Sequence, residues 1–282
     1  MTAETLDMDH LATWLGRGEK VEDVLTHRLV SEYEAAVAPH GFSPEGCAPL
    51  GIHWCLAPMT VPADKLGPDG HPDRGGFMPP VPLKRRMWAG GEVTMVSPLK
   101  AGDRVTRQSE ITGITRKDGK SGPMVFVTVM HEYFTERGLA IRDRQDAVYL
   151  NPVEKPQGVA DANKAPQADH TEAVDINPTF LFRYSAITFN GHRIHYDQDY
   201  ARSVEGYPDL VVHGPLQASL MLQYGGRLGN GRRLKSFRYR GLRPLFMGEP
   251  LMLNARETDD GFELWTSDSS PAPNMLGRLV LE

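Results

Sequence analysis

Residues 215–224 read PLQASLMLQY and are followed by Gly225 and Gly226. Proline suits the first turn of a helix, where its missing N–H would have no partner, and glycine is common just after the last turn. The apolar side chains of this stretch spread around most of the helix circumference instead of forming one stripe. The sequence therefore predicts a helix that ends at Gly225-Gly226 and is enclosed, as it would be inside a curled β-sheet.

The chain contains two similar β-rich segments. Residues 98–103 read PLKAGD and residues 244–249 read PLFMGE, so both follow the pattern Pro-Leu-x-x-Gly-acid. A strand-like run, a turn containing Asp-Gly and a second strand-like run follow each element, at 105–115, 117–120 and 124–134 in the first copy and at 250–257, 259–261 and 262–266 in the second. Asp-Gly between two such runs is a strong hairpin signal. The sequence predicts a repeated antiparallel β unit.

The segment between the two copies, residues 151–176, is rich in Pro, Ala, Asp and Gln and has almost no large apolar residue. Such a composition cannot anchor a segment in a core and is typical of a linker. We therefore expect an N-terminal domain at 1–150 and a C-terminal domain at 177–282.

Composition excludes several classes of function. The 282 residues carry a net charge of −5, which gives no electrostatic reason to expect a nucleic-acid partner. No run of 18 or more apolar residues occurs, and the N-terminus is acidic where a secretory signal would be basic. The two cysteines are too few for a disulfide framework. We expect a cytoplasmic protein that does not contact a membrane.

The densest polar cluster is the segment 188–197, which reads TFNGHRIHYD. It holds two imidazoles, His192 and His195, and it precedes the predicted buried helix, whose N-terminus reads His213-Gly214. A helix N-terminus offers unpaired N–H groups and a partial positive charge, and so suits an anion or a developing oxyanion. This combination predicts the reacting part of the protein.

These residues carry a family resemblance. Residues 189–197 (FNGHRIHYD) and 212–216 (VHGPL) resemble the hydratase region of the MaoC-like, (R)-specific enoyl-CoA hydratase group of hot-dog proteins. Residues 76–80 (GFMPP), 85–91 (RRMWAGG) and 121–123 (SGP) resemble the N-terminal half of its double-hot-dog members, which are mesaconyl-C4-CoA (3-methylfumaryl-CoA) hydratases, itaconyl-CoA hydratases and type 2 hydroxyacyl-thioester dehydratases. The implied fold is α+β, a double hot dog in which each half is an antiparallel β-sheet wrapped around a helix. The first half is then non-catalytic and completes the pocket.

The resemblance also implies a mechanism. The family motif has Asp, four residues and His, and here His195 occupies the His position while Asn190 occupies the Asp position. An amide cannot accept the proton, so the general base is His195 and Asn190 only positions the water. The backbone N–H of Gly214 would stabilise the enolate that forms on the thioester oxygen.

The implied activity is that of a lyase, a hydro-lyase acting on an enoyl thioester: mesaconyl-C4-CoA hydrated to citramalyl-CoA, or a close analogue such as itaconyl-CoA. Coenzyme A would enter as part of the substrate, with no separate cofactor and no metal, and a homodimer of such chains is compatible with the resemblance. Residues expected to bind the substrate are His192, Arg193, Tyr184, Arg85 and Arg86. The basic stretches 84–86 and 238–240 are further candidates for the phosphates of coenzyme A, because arginine forks match phosphate oxygens.

Other interpretations stay open at the level of sequence. The chain could be a general 3-hydroxyacyl-thioester dehydratase, a hot-dog acyl-CoA thioesterase or, because Asn190 replaces the family carboxylate, a non-catalytic acyl-CoA binding module. A metal site built from His192, His195 and Asp197 would still need further ligands. His213 is expected to be a contact at the helix entry and not a reacting group.

Overall fold

The computed structural model describes residues 6–119, 122–151, 165–270 and 272–282. Within them the helices are α1 (Met8–Ala12), α2 (His27–Val37), α3 (Pro178–Ile187), α4 (Gln198–Ser203) and α5 (Gly214–Leu228). The strands are β1 (Gly18–Val24), β2 (Arg85–Met95), β3 (Arg104–Gly119), β4 (Gly122–Thr135), β5 (Gly138–Leu150), β6 (His170–Val174), β7 (Leu234–Gly241), β8 (Leu251–Thr258), β9 (Gly261–Ser267) and β10 (Pro273–Leu281). None of these helices is long and apolar enough to cross a membrane.

The strands form one antiparallel sheet in the order β1-β3-β4-β5-β2-β7-β10-β9-β8-β6. Read from either outer edge, the first strand of each half is followed by the third, fourth, fifth and second, and the two second strands pair at the centre. Both predicted hairpins form, β3–β4 and β8–β9, although Asp118 and Gly119 are the last paired residues of β3 and residues 120–121 lie outside the described residues. Gly102 and Gly248, in the two copies of the Pro-Leu-x-x-Gly element, have nearly equal positive φ values of 93° and 90°. The repeated β unit and the double-hot-dog class are confirmed.

Helix α5 is enclosed by the second half of the sheet, as predicted. It packs against β7, β8, β9 and β10, and its residues from Leu216 to Gly226 are all buried. The predicted end of the helix is wrong, because Gly225 and Gly226 lie inside it and the helix runs on to Leu228. A Cβ at Gly226 would lie 2.7 Å from the ring of Phe42, so this glycine allows close packing and does not end the helix.

The two halves differ in their helices. Among the described residues of the first half, the longest helix is α2, with 11 residues, and it packs against α3 of the second half. Between α2 and β2 the chain forms two short 3-10 helices and a long connection. The inner face of β3, β4 and β5 is therefore only partly covered, and the cavity described below reaches it.

Part of the segment 151–176, which was predicted as a linker, is a β-strand. Residues 170–174 of that segment form β6, which pairs with β8 at the edge of the sheet and buries Val174. An edge strand needs only one partner and one buried side chain, so its polar composition resembled that of a linker. Residues 152–164 of the predicted linker lie outside the described residues.

Candidate active site

A cavity of about 590 Å³ is lined by residues of both halves. The second half contributes Asn190, His192, His195 and Gly214, and the first half contributes residues that include Trp88. Its volume lies within the range of about 300–1,000 Å³ that is common for small-molecule sites. The fold thus brings the predicted catalytic residues together at one cavity.

His195 is buried, with 7% of its surface exposed, at the end of a 3-10 turn formed by residues 193–195. Its Nδ1 lies 2.7 Å from the carbonyl oxygen of Val211, which can only accept, so Nδ1 carries the proton and Nε2 keeps its lone pair. Burial lowers the pKa of His195 to about 4, partly offset by the Val211 hydrogen bond. At neutral pH this imidazole is therefore uncharged and can accept a proton at Nε2.

The N-terminus of α5 lies beside this imidazole. His213, the residue before the helix, stacks on His195 with 3.6 Å between ring centroids. Its Nε2 forms a 2.8 Å hydrogen bond with the hydroxyl of Ser185. Gly214 is the first helical residue, and its N–H makes no hydrogen bond to a described residue. The ring of Trp88 would lie 3.2 Å from a Cβ at Gly214, so a side chain there would crowd the wall of the cavity. Gly214 thus leaves a free N–H donor next to a neutral base.

Asn190 lies in a tight turn before the 3-10 helix. Its side-chain Oδ1 accepts a 3.0 Å hydrogen bond from the backbone N–H of His192, and its own N–H donates to the carbonyl of Ser185. The left-handed residue of this turn is Phe189, with φ of 53°, and not Asn190. Oδ1 already accepts this backbone hydrogen bond, whereas the Nδ2 amide has no partner among the described residues and can donate to a water.

Sequence reasoning missed two site residues from the first half, Asp69 and His71. The carboxylate of Asp69 lies 3.0 Å from Nδ1 of His71, whose ring packs on that of His192 at 4.1 Å. The ring of His192 in turn meets His195 edge-on at 5.4 Å. Neither residue belongs to a recognisable motif, and only the docking of their loop on the catalytic segment could reveal them.

That docking depends on two glycines. A Cβ at Gly70 would lie only 2.0 Å from the carbonyl oxygen of Gly191, so the two backbones touch directly. The N–H of Arg193 donates to the carbonyl of Asp69, and the Arg193 guanidinium donates to that of Pro68. The loop at 66–73 is therefore fixed on the segment that carries His195.

Asp69, His71 and His192 offer ligand atoms within 4.8 Å of one another, so this trio could be considered as a metal site. However, Asp69 and Nδ1 of His71 are already bonded to each other, and the positive charge of Arg86 lowers the pKa of both His71 and His192. Placing a second cation beside Arg86 would be unfavourable. The Asp69–His71 hydrogen bond and the nearby charge of Arg86 therefore both oppose a metal ion at this trio.

The predicted arginines have different surroundings. Arg193 does not line the cavity, because its guanidinium pairs with Asp197 at 2.7 Å and covers the ring of Tyr200. Arg85 lines the cavity but pairs with Glu205 at 3.1 Å. Arg86 lines the cavity and forms no ion pair or side-chain hydrogen bond with the residues that the structure describes. Of these three, Arg86 is the one whose charge is available to a ligand.

The two basic stretches proposed for coenzyme A also separate. Arg238 pairs with Glu92 at 3.2 Å and does not line the cavity. Lys84 and Arg240 line the cavity, are exposed, and have no ion-pair partner among the described residues. Tyr184 forms part of the cavity wall, but its hydroxyl lies 3.1 Å from Ser219 inside the protein.

The first-half end of the cavity contains unexpected polar groups. Arg107, which pairs with Glu19 at 2.8 Å, and the buried His131 line it. Behind the wall, Asp143 is fully buried and accepts hydrogen bonds from Trp54 and Gln145. Polar side chains therefore form part of the wall at this end of the cavity.

A double hot dog with a buried neutral imidazole beside a free helix N-terminus is the arrangement expected of an acyl-thioester hydratase or dehydratase, and the comparisons agree. The family model for hydroxyacyl-thioester dehydratase type 2 matches residues 51–247. The chain is 40% identical to the mesaconyl-C(4)-CoA hydratase of Chloroflexus aurantiacus, over 89% of this chain and 90% of that protein. The chain therefore belongs to the hydroxyacyl-thioester dehydratase type 2 family.

More distant comparisons agree. The mitochondrial hydroxyacyl-thioester dehydratase type 2 of Schizosaccharomyces pombe is 26% identical over 92% of this chain and 96% of that protein. The crystal structure of HtdX from Mycobacterium tuberculosis has a TM-score of 0.69 at 15% identity and covers 93% of this chain and 98% of that one. At that identity the structural likeness shows the shared fold alone.

Proposed function

We propose that the protein reversibly adds water to the carbon–carbon double bond of mesaconyl-C4-CoA, or of a close dicarboxylic analogue such as itaconyl-CoA, and that the product from mesaconyl-C4-CoA is citramalyl-CoA. The observation that carries this proposal is the neutral His195, whose proton is held on Nδ1 by Val211, beside the free N–H of Gly214. The choice of acyl group is supported by the 40% identical relative and by the polar end of the cavity.

The proposed steps use only residues at the cavity. Nε2 of His195 takes a proton from a water that accepts a hydrogen bond from Nδ2 of Asn190. The oxygen of that water bonds to the β-carbon while the electron pair of the double bond moves to the thioester oxygen. The N–H of Gly214 stabilises this enolate, and a donor of this kind is worth about 3–4 kcal/mol. The protonated His195 then gives this proton to the α-carbon of the enolate, which restores the neutral imidazole.

In this proposal the first half, 1–150, completes the pocket and the second half, 177–282, supplies the reacting groups. Lys84 and Arg240, the exposed cations at the cavity, would bind the phosphates of coenzyme A. The cofactor-free chemistry, a homodimer and a cytoplasmic location remain predictions from the sequence.

The proposal is tested by incubating the protein with mesaconyl-C4-CoA and crotonyl-CoA while following enoyl absorbance and free thiol. We expect loss of the enoyl absorbance with the thioester intact, and a fall in kcat of about 10²–10⁴ in the His195→Ala variant. His170→Ala, at the exposed edge strand, is the matched control and should keep full activity.

Other outcomes would assign the protein differently. Release of free thiol would indicate a thioesterase, and the absence of both signals a binding module. A His195→Ala variant with activity within threefold of the parent protein would remove His195 from the mechanism.

A further inference from the structure

Arg86 is a cation at the cavity that the fold leaves without a partner. The guanidinium groups of Arg85, Arg107 and Arg193 are each paired with a carboxylate. By contrast, Arg86 forms no ion pair within the part of the chain that the structure describes, although it is half-buried. A partly desolvated, unpaired guanidinium is unfavourable unless an anion from outside joins it.

The position of Arg86 is indicated by its electrostatic effect. Arg86 lines the same cavity as His71 and His192, and its charge adds to the effect of burial, which is the main cause that lowers the pKa of both imidazoles. The ring of His192 contacts that of His195 at 5.4 Å between centroids. Arg86 therefore lies at the end of the cavity where the proposed mechanism places the reacting water.

His192 can add a hydrogen-bond donor to this cation. Its side chain makes no hydrogen bond to the described residues, and burial keeps it neutral, so one of its ring nitrogens carries a free N–H. Its ring is held by the tilted packing of His71, which Asp69 fixes in turn through Nδ1. The carboxylate of Asp69 is satisfied by His71 and by the backbone N–H of the same residue.

The chemistry of a dicarboxylic substrate requires an anion site at this place. In a thioester such as mesaconyl-C4-CoA, the free carboxylate is bonded directly to the β-carbon, which is the carbon that receives the water. Wherever His195 delivers the oxygen, the carboxylate must lie within one or two bond lengths of the reacting carbon. An enoyl thioester without this group, such as crotonyl-CoA, has only a methyl group there.

We propose that Arg86 and His192 bind the carboxylate on the β-carbon of the substrate and so select dicarboxylic over monocarboxylic enoyl thioesters. Arg86 forms the ion pair, His192 donates the additional hydrogen bond, and Asp69 with His71 is a positioning unit that holds the ring of His192. This assignment rests on the proposed hydratase function, because it places the carboxylate relative to the carbon that His195 serves.

The test compares kcat/KM for mesaconyl-C4-CoA and crotonyl-CoA in single variants. Arg86→Met should reduce the preference for the dicarboxylic substrate at least tenfold, about 1.4 kcal/mol in transition-state binding. Arg86→Lys should restore part of that preference, because it keeps the charge. His192→Phe, which keeps a ring but removes the N–H, should also reduce it.

Arg240→Met is the matched control, since it removes another unpaired cation of the same cavity. It should raise KM for both substrates by similar factors, because coenzyme A is common to them. An Arg86→Met variant in which both substrates lose activity equally would overturn the assignment.

Binding of the saturated analogues methylsuccinyl-CoA and butyryl-CoA separates this inference from the proposed function. If neither substrate is hydrated, the proposed function fails, and the carboxylate site is judged by binding alone. Arg86→Met should then weaken methylsuccinyl-CoA binding at least tenfold more than butyryl-CoA binding. Equal dissociation constants for the two analogues in the parent protein would reject the site.

Discussion

At the scale of single residues, the site is organised by imidazoles that burial keeps neutral. His195 receives a fixed tautomer from the Val211 carbonyl, and His213 supports its ring by stacking. A base with a pKa of about 4 is weaker than free histidine, but it is fully deprotonated at pH 7. In the proposed mechanism the free N–H of Gly214 compensates for the weak base by lowering the energy of the enolate.

We predict that Asn190→Asp keeps at least a tenth of the parent kcat and moves the acidic limb of its kcat/KM profile to higher pH. The new carboxylate keeps the acceptor that binds the His192 N–H, and its negative charge favours the protonated form of nearby His195. Because the base works only when neutral, its activity is then lost at a higher pH. Initial rates between pH 5 and pH 9 provide the measurement.

Asn190→Ala is the control for that variant, because it removes both the acceptor and the amide donor. It should be less active than Asn190→Asp at every pH. A folded but inactive Asn190→Asp protein would show that the Nδ2 amide is required and that the family carboxylate cannot replace it.

At the scale of elements, the loop at 66–73 links the first half to the catalytic segment. Contact between Gly70 and Gly191 brings the Asp69–His71 unit against His192. Gly70 also has φ of 85°, a conformation that residues with a Cβ rarely adopt. The loop is therefore held on this segment by direct backbone contact as well as by side-chain contacts.

We predict that Gly70→Ala lowers kcat/KM for the preferred substrate at least tenfold, because the methyl group would push the loop away from Gly191. The matched variant is Gly75→Ala, which has a similar φ of 91° but meets only Pro80 at 3.7 Å. The strain from the positive φ should be similar in both variants, of order 1–3 kcal/mol.

Thermal unfolding and steady-state kinetics on this pair separate strain from docking. If Gly75→Ala lost as much activity as Gly70→Ala, backbone strain alone would explain the effect and the docking argument would fail.

At the scale of the whole molecule, two halves of equal topology contribute unequally. The second half fills its sheet with α5, whereas the inner face of the first half is partly open to the cavity. The first half also contains two buried histidines, His53 in a 3-10 helix and His131 on β4. Burial lowers the pKa of each of these two histidines to about 3. These buried histidines therefore make the stability of the fold depend on pH.

We predict that the free energy of unfolding falls by several kcal/mol between pH 7 and pH 5. Buried His53, His131, His195 and His213 have folded pKa values below the unfolded value of 6.5, so their contribution is complete above pH 6.5 and is lost as the pH falls toward the folded values. Each such group contributes up to about 1.4 kcal/mol per pH unit in that window. Urea unfolding at several pH values measures the slope.

One carboxyl group opposes this trend. Burial raises the pKa of Asp143 from 3.8 to about 6, so this group destabilises the fold fully above that pH, and the destabilisation is lost as the group is protonated. Asp143→Asn should therefore make the loss of stability toward acid pH steeper. A parent protein whose stability does not change between pH 7 and pH 5 would contradict the neutral state of the histidines.

The sequence by itself determined the repeated β units, the enclosed helix and the segment that carries Asn190 and His195. These features depend on local patterns: alternation along strands, Asp-Gly turns, and a compact motif in which residues a few positions apart necessarily lie together. The family followed from the same motif. The start of the helix at Gly214 was also predictable, since proline at its next position marks a first turn.

Only the tertiary structure decided which other groups meet the motif. Asp69 and His71 are more than 110 residues before His195, and nothing in their local sequence distinguishes them from a surface loop. Likewise, Arg85, Arg86 and Arg193 cannot be distinguished by sequence. In the structure Glu205 pairs with Arg85 and Asp197 pairs with Arg193, whereas no carboxylate of the described residues pairs with Arg86. Charge pairing and loop docking arise from contacts between residues of the two halves, and local sequence patterns do not encode such contacts.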